Sequence, residues 1–308
     1  MQKTLSKPIS LIVLFAILTI FTVLVIGSRS VHAAPTTVNL RTASPFAILS
    51  GTPNITDAGN ASVITGNVGL SPATGAGNEL TCSQVTGIIY SVDATGPLPC
   101  RVTNGPLLLT AKNNLTTAYN DVAGRTPLTT VPTELGGTTL VAGVYDSAST
   151  TFGITAGAGA LVLDGQNDPS SVFIFQAPFG GTGLNVNSGS TVTLTNGAQA
   201  CNVFWRVDTA AIDTTADFVG TILALNSITV ANGATIEGRL LARNGNVTLI
   251  NDTITVPICA GNDTADETPG LPNTGFMSGN YVLWGAISIL LVTSGLLVAF
   301  IAYKKRTI

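Results

Sequence analysis

The 308-residue chain is short of charge, of aromatic side chains and above all of histidine. Its single histidine, His32, falls in a stretch with the layout of an export signal, so the exported part has none. That absence excludes Ser-His and Cys-His nucleophilic sites and histidine-based metal sites from it. Charged residues make up only 9% of the chain. Those present are lopsided: from Ala34 to Thr274 seven basic residues face all sixteen acidic ones, a balance of −9. A surface of that sign repels phosphate, and nucleic acid is not an expected partner. Cysteine is scarce too, and Cys82, Cys100, Cys201 and Cys259 lack the close C-x-x-C spacing that a structural zinc site prefers.

The long apolar runs are confined to the two ends. Lys3 and Lys7 precede an apolar stretch from Ile9 to Ile26, and Val31-His32-Ala33 supplies small residues at a cleavage point, so 1–33 is expected to be a secretory signal, with an uncut anchor as the alternative. Tyr281 to Tyr303 is long and apolar enough to span a bilayer as a helix, and the basic tail 304–308, with Lys304-Lys305-Arg306, is expected to stay in the cytoplasm. The region between, 34–259, then lies outside the cell and is large enough for one all-β domain with a real core. Export also puts the cysteines in an oxidising compartment, where an even count suggests disulfides. Of three possible pairings the expected one joins Cys82 to Cys100, closing one insertion, and Cys201 to Cys259, tying the start of a repeated block to its end.

That block is the chain's clearest pattern. Phe218-Val219-Gly220-Thr221-Ile222-Leu223-Ala224-Leu225-Asn226 returns eighteen positions later as Ile236-Glu237-Gly238-Arg239-Leu240-Leu241-Ala242-Arg243-Asn244. Each copy is followed by a short β-branched run, Ser227-Ile228-Thr229-Val230 and Asn246-Val247-Thr248-Leu249, and then by a small polar turn. Units this short bury an apolar face only against their neighbours, so the pattern predicts stacked β-coils. Phe46–Leu49 and Val63–Gly69 read as an early coil, Ser71–Arg101 as an irregular capping insertion, and the β pattern resumes from Gly137. One helix interrupts it, over about 106–123. Asn104 caps it, Pro106 occupies its first turn, Leu108, Ala111, Leu115, Ala118, Tyr119 and Val122 share one face, and Gly124 stops it. At 1.5 Å per residue it is about 27 Å long, the height of about five or six strands, so it can lie along the stack and seal one side.

Two features carry possible chemistry. Asp164 with Asp168, and Asp213 with Asp217, are carboxylate pairs of the kind a carbohydrate-cleaving enzyme would need. Asp164-Gly165-Gln166-Asn167-Asp168-Pro169 is dense in turn formers, however, and reads more simply as a tight loop. The other feature is a recurring array of short polar groups: Ser188 and Thr191, Thr214, Asn232 and Thr235, and Asn251 and Thr253. Long charged side chains are nearly absent around them. A flat array of hydroxyls, amides and methyls suits a regular solid or a repetitive polymer better than a small ligand, which needs a concave pocket.

From Val38 to Cys259 the chain resembles the ice-binding proteins of the DUF3494 type. The resemblance rests on Phe46-Ala47-Ile48-Leu49, Gly66-Asn67-Val68-Gly69-Leu70-Ser71-Pro72, Ala118-Tyr119-Asn120-Asp121, Leu163-Asp164-Gly165 through Phe173-Ile174-Phe175-Gln176, Gly197 through Trp205, and Ile222-Leu223-Ala224 through Gly245. It implies a mainly β fold, a discontinuous β-solenoid with three-sided coils and one long α-helix packed alongside, and adsorption to ice through one flat face. The family's loose motif, Thr-(Ala or Gly)-x-(Thr or Asn), is met by Thr182-Gly183-Leu184-Asn185. Asn232-Gly233-Ala234-Thr235 and Ser188-Gly189-Ser190-Thr191 depart from it in the first place, and Thr110-Ala111-Lys112-Asn113 meets it on the helix. The expected ice-binding residues are Thr155, Thr182, Asn185, Ser188, Thr191, Thr214, Thr229, Asn232, Thr235, Thr248, Asn251 and Thr253. After a polar tether, 260–270, the tail resembles the sorting signal of Gram-positive surface proteins. Leu271, Pro272, Asn273, Thr274 and Gly275 form the pentapeptide that sortase cuts between Thr and Gly, and the apolar span and basic tail follow.

The expected protein is therefore an ice-binding module on the cell surface, with no catalysis, no metal and no cofactor. Its expected partners are the ice crystal, sortase with cell-wall peptidoglycan, and the membrane through the C-terminal helix before sorting. The alternative is a surface adhesin or structural module that binds a glycan or a neighbouring cell.

Overall fold

The computed structural model describes residues 35–126, 128–177 and 183–260. The signal segment, the tether, the sorting pentapeptide and the C-terminal span lie outside them; among the described residues no helix is long and apolar enough to cross a membrane. Before the helix come β1 (Phe46–Ser50), β2 (Ile55–Asp57), β3 (Val63–Thr65), β4 (Asn67–Leu70), β5 (Val85–Thr86), β6 (Ile89–Ser91) and β7 (Arg101–Thr103). The helix, α1, is Gly105–Ala123. After it come β8 (Thr129–Val131), β9 (Thr139–Val141), β10 (Gly143–Ser147), β11 (Thr151–Ile154), β12 (Leu161–Asp164), β13 (Phe173–Gln176), β14 (Gly183–Val186) and β15 (Val192–Thr195). The chain closes with β16 (Val203–Val207), β17 (Ala210–Ile212), β18 (Asp217–Ala224), β19 (Ile228–Val230), β20 (Thr235–Ala242), β21 (Val247–Leu249) and β22 (Thr253–Thr255).

These strands form parallel sheets of thirteen, six and three strands. The repeated blocks are β18 and β20, paired in register from Asp217 with Thr235 to Ala224 with Ala242. A stack in register requires each strand to bend at the same place, and the shared glycines supply the bend. Gly220 has φ +117, where a Cβ would stand 2.8 Å from the Trp205 indole nitrogen; a Cβ on Gly238 would stand 1.9 Å from the Gly220 carbonyl oxygen. The same break separates β3 from β4 at Gly66 and β5 from β6 at Gly87.

The chain does not stack in its own order. The long sheet runs β7-β6-β4-β1-β20-β18-β16-β13-β10-β8, so the N-terminal strand β1 pairs with the last repeat, Ile48 opposite Leu240. Ser71–Arg101 is not the irregular cap that its composition suggests. It holds β5 and β6, which pair with β3 and β4 and extend the stack by another layer. The apparent single strand Val63–Gly69 is two, divided at Gly66. Both disulfides form as expected, Cys82 with Cys100 and Cys201 with Cys259, at Cα separations of 5.5 and 5.8 Å.

Two cores lie on opposite faces of the long sheet. Between the sheets, Trp205, Phe175, Phe152 and Phe218 are fully buried with Ile222, Ile236 and Ile254. Phe175 and Trp205 stack at 3.9 Å, and the Trp205 N–H donates to the Val219 carbonyl at 3.1 Å, satisfying the one polar atom that burial would orphan. On the outer face, the six apolar helix residues meet Phe46, Leu49, Ile174, Phe204, Leu223 and Leu241. Each of the larger side chains contributes about 1.5–3 kcal/mol of burial, and packing of this face, more than helix propensity, holds the helix. Asn104 caps it by accepting from the Leu107 N–H at 3.1 Å. Being covered on both faces, β1, β13 and β16 are apolar almost without alternation.

The turns that lead out of the six-stranded sheet share a left-handed residue, at Gly189 (φ 67), Thr215 (φ 57), Gly233 (φ 76) and Asn251 (φ 57). Glycine and asparagine adopt that conformation readily, whereas a β-branched residue does not. Replacing Thr215 with Asn, the residue of the last turn, should raise stability by about 0.5–1 kcal/mol and Tm by about 1–3 °C. Thermal melts of the two proteins side by side check this, and an unchanged or lower Tm would mean that Thr215 is not strained.

Candidate functional site

The six-stranded sheet, ordered β11-β14-β17-β19-β21-β2, presents one face that, among the described residues, no other element covers with an apolar core. Its inward side chains, including Ile154, Val186, Ile212, Val230 and Leu249, are buried. Alternation then turns the residues between them outward. The register lines these up as one row: Gly153, Asn185, Ala211, Thr229, Thr248 and Thr56. With neighbouring strands about 4.8 Å apart, the row is about 24 Å long. It contains no charged residue and no side chain longer than asparagine.

Neighbouring groups hold the Thr248 hydroxyl in place. Asn246 donates from Nδ2 to Thr248 Oγ1 at 3.0 Å, and its Oδ1 accepts from Ser227 Oγ at 2.7 Å. Thr155, one row along, is committed differently: its hydroxyl donates to Glu134 at 2.6 Å and its N–H to the same carboxylate at 3.0 Å.

The expected binding residues do not share one plane. Asn185, Thr229 and Thr248 lie in the row just described. Ser188, Thr214, Asn232 and Asn251 lie in the corner turns that leave it, where Asn251 donates to Asn232 at 2.8 Å. Thr191, Thr235 and Thr253 stand past the corner on a second ladder, in which Asp217 pairs with Thr191 and Thr235, and Thr253 with Thr235 and Val63. Thr182 lies outside the described residues. The second ladder carries more threonine, at Thr193, Thr255, Thr65 and Thr86, but also the carboxylates of Asp217 and Glu237 and an apolar neighbour, Val63, at 53% exposure. Thr56 was absent from the expected set. Its signal is visible in hindsight, because Asn54-Ile55-Thr56 repeats Asn246-Val247-Thr248.

The carboxylate pairs serve their own loops. Asp164 accepts from the Gln166 N–H at 2.8 Å and from Asn196 at 2.9 Å, which hold its carboxyl below the usual range. Asp168 accepts from the hydroxyl and N–H of Ser170, with the same effect. A general acid needs the opposite shift. Asp213 is exposed in a turn, whereas Asp217 is the first residue of β18 rather than a turn residue. Among the described residues no group of three or more His, Cys, Asp or Glu is placed to hold a metal ion.

A family model described as Ice-binding-like matches residues 48–255. The chain belongs to this ice-binding-like family. An ice-binding protein of a Colwellia species is 43% identical over 229 residues, covering 73% of this chain and 86% of that protein. One from Flavobacterium frigoris is 41% identical over 224 residues, 71% of this chain and 76% of the relative. Among solved structures, the DUF3494 domain of Shewanella frigidimarina ice-binding protein 1 superposes with a TM-score of 0.65 at 28% identity, covering 73% of this chain and all (100%) of that one. An ice-binding protein from an Antarctic biological consortium gives a TM-score of 0.61 at 36% identity, with 74% and 94% covered. Among the described residues the fold is mainly β, with parallel sheets and one α-helix.

Beneath the corner turns of this ice-binding-like domain lies Asp252, whose carboxyl is raised to about 6, first by burial and further by Asp57, against hydrogen bonds that act to lower it. Because that value stands above the ordinary 3.8, the folded chain holds more proton than the unfolded chain between the two. The group's contribution is therefore fully present at the acid end of this window and is lost as pH rises from about 4 to about 6. The stability of the wild type relative to Asp252→Asn should fall across that range by on the order of 1–2 kcal/mol. Denaturant melts at several pH values test the sign, and a difference that grows with pH would refute it.

Proposed function

We propose that this domain adsorbs to ice through the outward face of the six-stranded sheet and the corner turns beside it. The observation that carries the reading is the uncharged row from Gly153 to Thr56, in register on a rigid sheet, in a chain whose relatives are named ice-binding proteins. The coils are read as three-sided: the thirteen-stranded sheet turns a corner at Gly220 and Gly238, and its part beyond the corner continues the three-stranded sheet as the third side; they are discontinuous because the N-terminal strands join the stack after the last repeat. One side is taken by the helix. Of the other two, the six-stranded face is preferred because a charged, protruding Glu237 would hold water and distance between the second ladder and a neutral lattice.

Adsorption to a solid sums many weak contacts, so its yield depends on how little the surface must order itself on binding. No group needs to be chemically activated, and no cofactor or catalytic step enters. We further propose that the chain is exported by 1–33 and fixed at the surface by its tail. In that reading sortase cuts after Thr274 and joins it to peptidoglycan, 281–303 holds the precursor in the membrane until then, and 260–270 spaces the domain from the wall.

Replacing one hydroxyl, as in Thr229→Ala, should change ice partitioning little. Thr229→Tyr and Thr248→Tyr should abolish it by lifting neighbouring groups off the lattice, and at the exposed Thr229 stability should change by no more than about 0.5 kcal/mol. Thr193→Tyr and Thr255→Tyr, on the second ladder, should leave it intact. Survival of partitioning in both Thr229→Tyr and Thr248→Tyr would remove the six-stranded face from consideration, and loss in the second pair instead would move the site past the corner.

For the tail, Thr274→Ala should shift the protein from the wall fraction to membrane or medium. Unchanged wall attachment would rule out the sortase route.

A further inference from the structure

The adsorbing face ends in a strand taken from the far end of the chain. β2 has three residues; it pairs with β21, Ile55 opposite Val247 and Thr56 opposite Thr248, and its other side is met by a single bridge at Asn78, where the Glu79 N–H donates to the Ile55 carbonyl at 3.0 Å. So short an edge ladder holds its register weakly. Beneath it sit two carboxylates, Asp57 and Asp252, only 2% and 1% exposed.

Their hydrogen bonds cross the junction repeatedly. Asp57 accepts from the Asn251 N–H at 3.2 Å through one oxygen, and from the Ser62 N–H at 3.1 Å and Gln84 Nε2 at 2.5 Å through the other. Asp252 accepts from the Ala234 N–H at 2.9 Å and the Ile250 N–H at 2.8 Å, while its own N–H donates to Ser62 Oγ at 3.0 Å. The last turn, the preceding turn, β2 and the loop before β3 are thus tied through one pair of side chains. Ser62, Gln84 and Asn251, which face the pair, are neutral, so each carboxylate is the charged neighbour of the other. Two buried acids side by side are a poor choice for stability alone. What they supply is geometry, since the oxygens of each carboxyl accept, and here N–H groups converge on them from several turns.

Resting on the ice-binding reading, we propose that Asp57 and Asp252 are positioning residues of the adsorbing face, holding Thr56 in line with Thr248, and Asn251 with Asn232, so that the face continues across the junction of the chain's two ends. Asp57→Asn and Asp252→Asn each replace one acceptor oxygen by a donor amide at constant shape, and Ser62→Ala removes only the bridging hydroxyl. With the oxidised domain, ice recrystallisation inhibition is measured at pH 5 and pH 8, alongside circular dichroism and amide hydrogen exchange at Thr56 and Asn251.

The expected result is that folded Asp57→Asn and, more mildly, Ser62→Ala lose exchange protection at those amides and need several-fold more protein for the same inhibition. The wild type should inhibit less well at pH 8, where both acids are charged, than at pH 5, and Asp252→Asn should lose that pH dependence. Folded variants that match the wild type in inhibition and in protection overturn the proposal. Should either aspartate variant fail to fold, Ser62→Ala and the wild-type pH profile decide it. If the wild type does not act on ice at all, the ice-binding reading fails, and exchange at Thr56 still tells whether the pair positions the strand.

Discussion

Parallel pairing leaves each strand with a row of unsatisfied N–H and C=O groups on its free side, and the structure depends on how the chain covers them at one seam. The last repeat, β20 with β21 and β22, would expose such an edge. The N-terminal segment closes it on three fronts, β1 on β20, β2 on β21 and β3 on β22. The corners between these strands are joined as well. Gly51 and Thr52 donate to the carbonyls of Gly245 and Asn244 at 2.8 Å each, and Arg239 reaches from β20 to the Ser44 carbonyl at 2.7 Å. Gly51 cannot be larger there, since a Cβ would lie 2.2 Å from the Asn244 carbonyl oxygen. Bringing residues so distant in sequence together is costly in loop entropy, though the cost grows only slowly with loop length. The helix carries the chain back from the seam's far side, and its buried face secures the return.

Packing the helix there has a consequence for function. Phe204, Leu223 and Leu241, which point outward from the long sheet, lie under Leu108, Leu115 and Tyr119, so that side is sequestered as core. Arg206 and Arg243 stack on the Tyr119 ring at 4.5 and 4.7 Å, and Lys112 donates to the Ala242 carbonyl at 2.6 Å. Four of the domain's few cations, counting Arg239, are thereby drawn to the helix side. The row from Gly153 to Thr56 is left short, uncharged and bare by the same arrangement that stabilises the other side.

Much of this was legible from residue types. The helix, with its cap and its apolar stripe, was readable because those signals are local. The disulfides followed from the even cysteine count and spacing in a region expected to be exported, and the repeat from its shared glycines and asparagines. What could not be read was the order of stacking. The offset between paired strands is eighteen only where short turns join them, as from Ala210 to Ile228; from Phe173 to Val203 it is thirty, and Ile48 meets Leu240 across most of the domain. A period sought along the chain therefore fades on either side of β18 and β20, and it hid Val85-Thr86-Gly87 as another copy of Val63-Ile64-Thr65-Gly66. The candidate site suffered in the same way. Thr229 and Thr235 are six residues apart and look like one polar patch, but the turn at Asn232-Gly233 sends them to different faces.

The corner also explains why polar residues recur there without being one surface. A turn repeated in register must place a left-handed residue, an inward small residue and a satisfied set of N–H groups at the same height in each layer. Gly233, Ala234 and the acceptors of Asp252 meet those needs in one layer, and Thr215 and Ala216 occupy the same places in the layer before. Selection for the turn alone would produce Ser, Thr, Asn and Gly in these positions. The row Thr229-Thr248-Thr56 is under no such demand. Its residues sit mid-strand, where Val or Ile would satisfy β propensity equally well and a charged side chain would be ordinary on a wet surface. Choosing threonine there sets stiff β-branched side chains on the sheet, and the one at Thr248 is propped through Asn246 and Ser227, so that its methyl and hydroxyl are oriented before anything binds.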